Sequence, residues 1–142
     1  MDRTEITRLA KNPYSLGLIA RYVSEQPPFS AFEFGPSILT LLSQIHNDTH
    51  LVATRNDGIV GYLGWLHTTE EIAEGWIAGT GKLVAVPGGM AIAVTIFVTD
   101  LPRDILPMIK AAKQAEPGRS VYWKRYFADG RPPSARKVEV RR

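Results

Sequence analysis

Residues 50 to 66 read HLVATRNDGIVGYLGWL. Two strand-favouring runs, His50 to Thr54 and Ile59 to Leu66, stand either side of Arg55-Asn56-Asp57-Gly58. Asn, Asp and Gly tolerate the positive φ angles of a tight hairpin turn, so the stretch predicts an antiparallel pair at the centre of the chain. The rest of the sequence must be arranged around that pair.

Upstream, residues 4 to 25 predict helix, with Ile6, Leu9, Leu16, Ile19 and Val23 as an intermittent apolar stripe. Pro13 falls at a break, where Asn12 is a good N-cap for a second helical segment. Gln26 to Ser30 leaves the helix, because Pro27 and Pro28 remove two amide donors. A further helix runs from about Gly35 to His46. Downstream, Thr68 to Gly79 predicts a short helix capped by Thr68 or Thr69, with glutamates in its first turn. Residues 82 to 86 (KLVAV) and 91 to 98 (AIAVTIFV) predict two strands around a Pro-Gly-Gly turn. Residues 101 to 116 form an amphipathic helix stopped by Pro117-Gly118. Residues 120 to 127 alternate into a strand, 128 to 134 turn, and 135 to 142 close as a basic edge strand. The order predicts one α+β domain over residues 1–142, a mostly antiparallel sheet flanked by helices.

Composition narrows the chemistry. The 142 residues include no cysteine, which excludes a disulfide framework and a thiolate nucleophile and suits a reducing cytoplasm. The longest apolar run, residues 88 to 98, is far short of the roughly 20 residues of a membrane span. The charged N-terminus has no apolar segment of the kind a signal peptide needs. Residues 1–109 carry 7 Lys and Arg against 11 Asp and Glu, whereas residues 110–142 carry 10 against 3. That basic end reads as a solvated strand and tail. It has no zinc spacing or RNA-binding aromatic signature beside it, so nucleic acid is not expected as a partner.

The reactive side chains are sparse. His46 and His50 straddle a helix end, without the single helix that makes paired-histidine spacing a metal clip, so no metal site is expected. Nucleophile elbow, phosphate loop and dinucleotide fingerprint are all missing. GTGKL, residues 79 to 83, reads as a turn.

The stretch HLVATRNDGIVGYLGWLHTTEE, residues 50 to 71, resembles the toxin-activating lysine acyltransferases, the hemolysin-activating (RTX activator) family with a GNAT-like fold. Gln44, Arg55, Gly61, Tyr62, Trp65, Glu70 and Glu71 fall in register with that family's pattern. The similarity spans about residues 14 to 140. It implies a single GNAT-like domain that moves an acyl group from acyl-ACP or acyl-CoA to a protein lysine or another amine. It also implies a protein partner or substrate, with an acyl carrier protein and a homodimer as further partners. The family's catalytic histidine position falls on Phe29, with Ser30 beside it, and its aspartate position on Val94 or Thr95. Phe29 exchanges no proton and Val94 orients no imidazole. Substitute proton carriers are then His67 and Asp100, with His46 and His50 behind them. Phe29, Ser30, Trp65, Thr95 and Arg103 are the expected groove residues, Trp65 packing as core. TDLPRD, residues 99 to 104, stands where an acetyl-CoA-binding loop is expected, with Asp100 reading as a helix N-cap. The alternative is a catalytically inactive binding or adaptor module with Phe29, Phe32 and Phe34 on its surface.

Overall fold

The computed structural model describes residues 3–125 and 134–138. Its elements in chain order are β1 (Glu5–Thr7), α1 (Pro13–Ser24), α2 (Phe34–His46), β2 (His50–Arg55), β3 (Gly58–Thr68), α3 (Glu70–Ala78), β4 (Ala91–Thr99), α4 (Ile105–Ala115), β5 (Ser120–Arg125) and β6 (Ser134–Val138). Short 3₁₀ turns at Phe29–Ala31 and Pro102–Asp104 precede α2 and α4.

The central hairpin forms as its turn chemistry requires. Asn56 and Asp57 both take positive φ, 52° and 65°, the pair of angles that matches the twist of the flanking strands. β2 and β3 pair antiparallel from His50–Gly64 to Arg55–Gly58. The sheet then grows outward with each strand beside its predecessor in the chain, in the order β1-β2-β3-β4-β5-β6. Every neighbouring pair is antiparallel except β4–β5, which α4 connects as a parallel pair.

Two expectations from the sequence are corrected. Residues 5 to 7 are strand, not helix, with Ile6 opposite Ala53 on the edge of β2. The β-branched Ile6 and Thr7 lie against an open strand edge, and that pairing outweighs three residues of helical pattern. Residues 82 to 86 are irregular rather than a strand. β2 runs along β3 only as far as Gly64, and beyond it this segment meets the edge of β3 through single bonds rather than a ladder. Val86 N–H donates to the His67 carbonyl at 2.8 Å, and Thr68 Oγ1 donates to the Val84 carbonyl at 2.7 Å. Residues 126 and 127 and most of the expected closing turn and tail lie outside the described residues.

Alternation along the strands builds two cores. On one face Leu51, Leu63, Trp65, Ile92, Val94 and Val121 pack against Met108, Ile109 and Ala112 of α4. On the other, Val52, Tyr62, Ile96 and Val98 meet Ile19 and Val23 of α1, Leu41 and Ile45 of α2, and Phe29. α3 covers the far end of that second face, where Ala73 packs with Ala91 and Tyr122. Asn12 and Thr69 cap α1 and α3, accepting from Ser15 N–H at 2.8 Å and Ile72 N–H at 3.1 Å.

Candidate functional site

The parallel pair is the irregularity that matters. β4 and β5 pair only from Ala91–Ser120 to Val94–Trp123, yet β4 runs on to Thr99. Beyond Val94 the strands part, and a cavity of about 390 Å³ lies between their carboxyl ends. Phe97, Val98 and Thr99 of β4, Trp123 and Lys124 of β5, Ile105 and Leu106 of α4, and Gln26 to Phe29 line it. Ligands of open sheets bind at the carboxyl ends of parallel strands, where diverging connections leave a crevice.

At the closed end of this cleft β4 carries a bulge. Gly64 pairs with Ile96 and Trp65 with Val94, so Thr95 is the inserted residue. A bulge breaks the ladder locally and re-aims a side chain. The Thr95 hydroxyl accepts from Gln44 Nε2 at 2.7 Å, and Gln44 Oε1 accepts from the Tyr62 hydroxyl at 2.6 Å. Gln44 is 3% exposed on an otherwise apolar helix face. Its amide lies flat on β3 because residue 64 is glycine, where any Cβ would overlap Gln44 Oε1. Burial pushes the Tyr62 hydroxyl well above the usual phenol range, so it stays protonated as the donor of this chain.

Beside the bulge, on the α2 face, lies a second cavity of about 570 Å³. Thr40, Ser43, Gln44, Asn47, Thr49 and Thr95 supply its polar lining, Leu39, Leu66 and Pro87 its apolar lining, and among the described residues no Asp or Glu takes part.

The expected site residues fall into separate groups. Phe29 is 7% exposed, lines the cleft and packs edge-on against Phe32 with centroids 5.1 Å apart. Ser30, exposed in the same 3₁₀ turn, bonds back through its amide to the Gln26 carbonyl at 2.9 Å. Trp65 is fully buried core, its Nε1–H donating to Glu116 at 2.9 Å. His67 also bonds Glu116, on the α4 side of the sheet, and Glu116 lies 3.6 Å from Arg119. Trp65 and His67 border the larger cavity, but strand alternation turns their rings toward Glu116 and presents it with β3 backbone. Asp100, exposed at the outer end of β4, accepts from the Tyr22 hydroxyl at 2.8 Å instead of capping α4. Burial, then that carboxylate, holds the Tyr22 hydroxyl far above the phenol range. Arg103 is exposed in the turn before α4.

His67 and Asp100 are not brought together. His67 pairs with Ile92, eight positions before Asp100 along β4, or about 26 Å of strand rise. His50 is fully buried and structural, accepting from Leu9 N–H at 3.1 Å and donating to the Gln44 carbonyl at 3.3 Å. No group of three or more metal-ligating side chains occurs among the described residues.

The residues missed in the sequence are the cleft walls Phe97, Trp123 and Leu106, and the partnership of Tyr22 with Asp100. Strand alternation marked Phe97 only as one more apolar position. A pair 78 residues apart leaves no local signal. Gln44 did carry one, as a polar residue between Leu41 and Ile45 on an apolar stripe.

No family model and no curated protein matches the chain. Solved structures do. A GNAT-family acetyltransferase from Streptococcus agalactiae superposes with a TM-score of 0.62 at 10% identity, covering 89% of this chain and 78% of that one. The GphF GNAT-like decarboxylase, solved with isobutyryl-CoA, gives 0.57 at 18% identity over 88% of this chain and 67% of its own. Diaminobutyrate acetyltransferase EctA from Paenibacillus lautus, solved with L-2,4-diaminobutyric acid and coenzyme A, gives 0.57 at 13% over 87% and 66%. Identities this low carry the architecture and not the narrower toxin-activating resemblance. The chain has the single-domain GNAT fold.

Proposed function

We propose that the chain transfers an acyl group from a pantetheine-type thioester to an amine. The observation that carries this reading is the parting of β4 and β5 beyond Val94, with a cavity between strands whose facing edge on β4 has no strand partner there among the described residues. An amide-bearing arm can bond such an edge as an added strand does. Its thioester then reaches the closed end near Thr95, and the hydroxyl- and amide-lined cavity beside the bulge takes the acceptor. The amine nitrogen attacks the thioester carbon, the C–S bond breaks, and the leaving thiolate takes a proton from solvent to replace the one that the nitrogen sheds there.

Neither sequence candidate for the proton carrier stands at that closed end. Asp100 lies five residues beyond Thr95, about 16 Å of strand rise, and the His67 ring is turned to Glu116. In this proposal the acceptor enters as the free amine and its proton passes to solvent through the open cavity. In its narrowest form, which rests on the resemblance of residues 50 to 71, the amine is a protein lysine and the donor is acyl-ACP or acyl-CoA.

The test is thiol release from acyl thioesters in the presence of small amines and lysine peptides. Leu106 is 75% exposed yet borders the cleft, so Leu106→Glu should leave the melting temperature unchanged and raise the donor KM by roughly tenfold. Thiol release that never exceeds the protein-free rate with any amine sinks the reading.

A further inference from the structure

The turn that leads from β4 into α4 stands at the outer end of the cleft, where the tail of a thioester seated as proposed above would emerge. A helix N-terminus binds a phosphate through amides that point outward unbonded, helped by the helix dipole. Here those amides are engaged. Asp100 N–H donates to the Val60 carbonyl at 2.8 Å, Leu101 N–H to Thr99 Oγ1 at 3.4 Å, and Asp104 N–H to the Leu101 carbonyl at 3.0 Å. Ile105 N–H donates to the Pro102 carbonyl. Pro102 and Pro107 have no amide hydrogen, so Arg103 and Leu106 alone remain to supply one between residues 100 and 107.

The charges at the turn also oppose an anion. Asp104, 6% exposed, holds its carboxylate at the mouth of α4 and lies 3.2 Å from Arg55, whose side chain is 12% exposed and also bonds Thr4. Arg55 is thereby neutralised and withdrawn from the surface. Asp100 keeps an exposed carboxylate beside the turn, and Arg103 is the single cation within residues 99 to 106. A diphosphate placed here meets the Asp100 carboxylate, an Arg55–Asp104 pair that neutralises itself, and few amide donors.

We infer that the β4–α4 turn does not read the diphosphate of coenzyme A, and that this chain recognises its donor by the pantetheine arm and acyl group alone. The inference rests on the thioester reading above and deepens it. A donor with its nucleotide end held elsewhere, on a carrier or in solvent, serves as well as one with a nucleotide.

The test is calorimetric titration of the full chain with pantetheine, coenzyme A and 3′,5′-ADP, which needs no knowledge of the acceptor. The expected result is that pantetheine and coenzyme A bind within about threefold of each other, because a diphosphate read by charged bonds is worth more than about tenfold, and that 3′,5′-ADP, which carries the nucleotide's phosphates singly, does not bind. Coenzyme A binding more than about tenfold tighter than pantetheine, or 3′,5′-ADP displacing it, overturns the inference and leaves the thioester reading standing. If neither thiol binds, the thioester reading falls, and the inference with it. Asp100→Arg supplies the converse test. It should tighten coenzyme A severalfold and leave pantetheine unchanged, and equal tightening of both contradicts the inference.

Discussion

At the scale of single residues, the Tyr62–Gln44–Thr95 chain ties α2 to the bulge of β4, and Gly64 makes room for it. Gly64→Ala should displace the Gln44 amide and break both bonds, at about 1 kcal/mol each plus strain, for a loss of roughly 2–3 kcal/mol in urea unfolding. Gln44→Ala in the same background should recover part of that loss, because it removes the overlap. A loss no smaller in the double variant would show that the glycine matters for another reason. His50 gives a pH signature. Burial holds its imidazole below the ordinary value of 6.5, despite the Gln44 carbonyl. The unfolded chain therefore binds the proton more readily. Stability is whole above about pH 6.5 and declines as pH falls from there toward the folded value. Thermal melts between pH 7.5 and 5.5 should show that decline, and His50→Gln should flatten it. Very little of this was legible beforehand. Turn chemistry named Asn56 and Asp57, and capping chemistry named Asn12 and narrowed the next cap to Thr68 or Thr69, because those signals span three or four residues. His50 read only as the start of a strand just past a helix end, since nothing local says that Leu9 will lie across it.

Among the elements, α4 is held at both ends by buried charge. Its N-terminal side carries Asp104 against Arg55, and Glu116, just past its last residue, takes bonds from Trp65 and His67. Arg55→Ala should cost about 3–5 kcal/mol, because it leaves the Asp104 carboxylate buried without its partner. Arg55→Met combined with Asp104→Leu should be far milder, and chemical denaturation of the two variants separates pairing from packing. Helices α1, α2 and α4 were readable from apolar periodicity and from their prolines. The first strand was not, because its pattern of Ile6 and Leu9 fits a helix until the edge of β2 is known to be open. Residues 82 to 86 erred the other way. They have strand composition, but beyond Gly64 they meet the edge of β3 only through isolated bonds and build no ladder.

For the molecule as a whole, the α+β class followed from the central hairpin and the alternation of elements, and the GNAT fold agrees with it. The cleft did not follow, because it depends on where the β4–β5 ladder stops, and no residue announces that. The acidless lining of the larger cavity carries a prediction at this scale. Without a carboxylate to attract an ammonium group, the rate should rise with pH to a plateau set by the acceptor's own pKa. A series of amines of different basicity checks this, and a plateau that stays fixed across the series would point to a protein group instead. Strand order carries a different consequence, one that concerns synthesis. Each strand lies beside the strand made immediately before it. A nascent chain emerging from the ribosome therefore always finds its partner already present, and the sheet can be laid down from one edge to the other. The cleft needs both β4 and β5, so it is completed only after the fifth strand of the sheet has been made. Occupancy of that cleft is thus a late signal that most of the domain has been made.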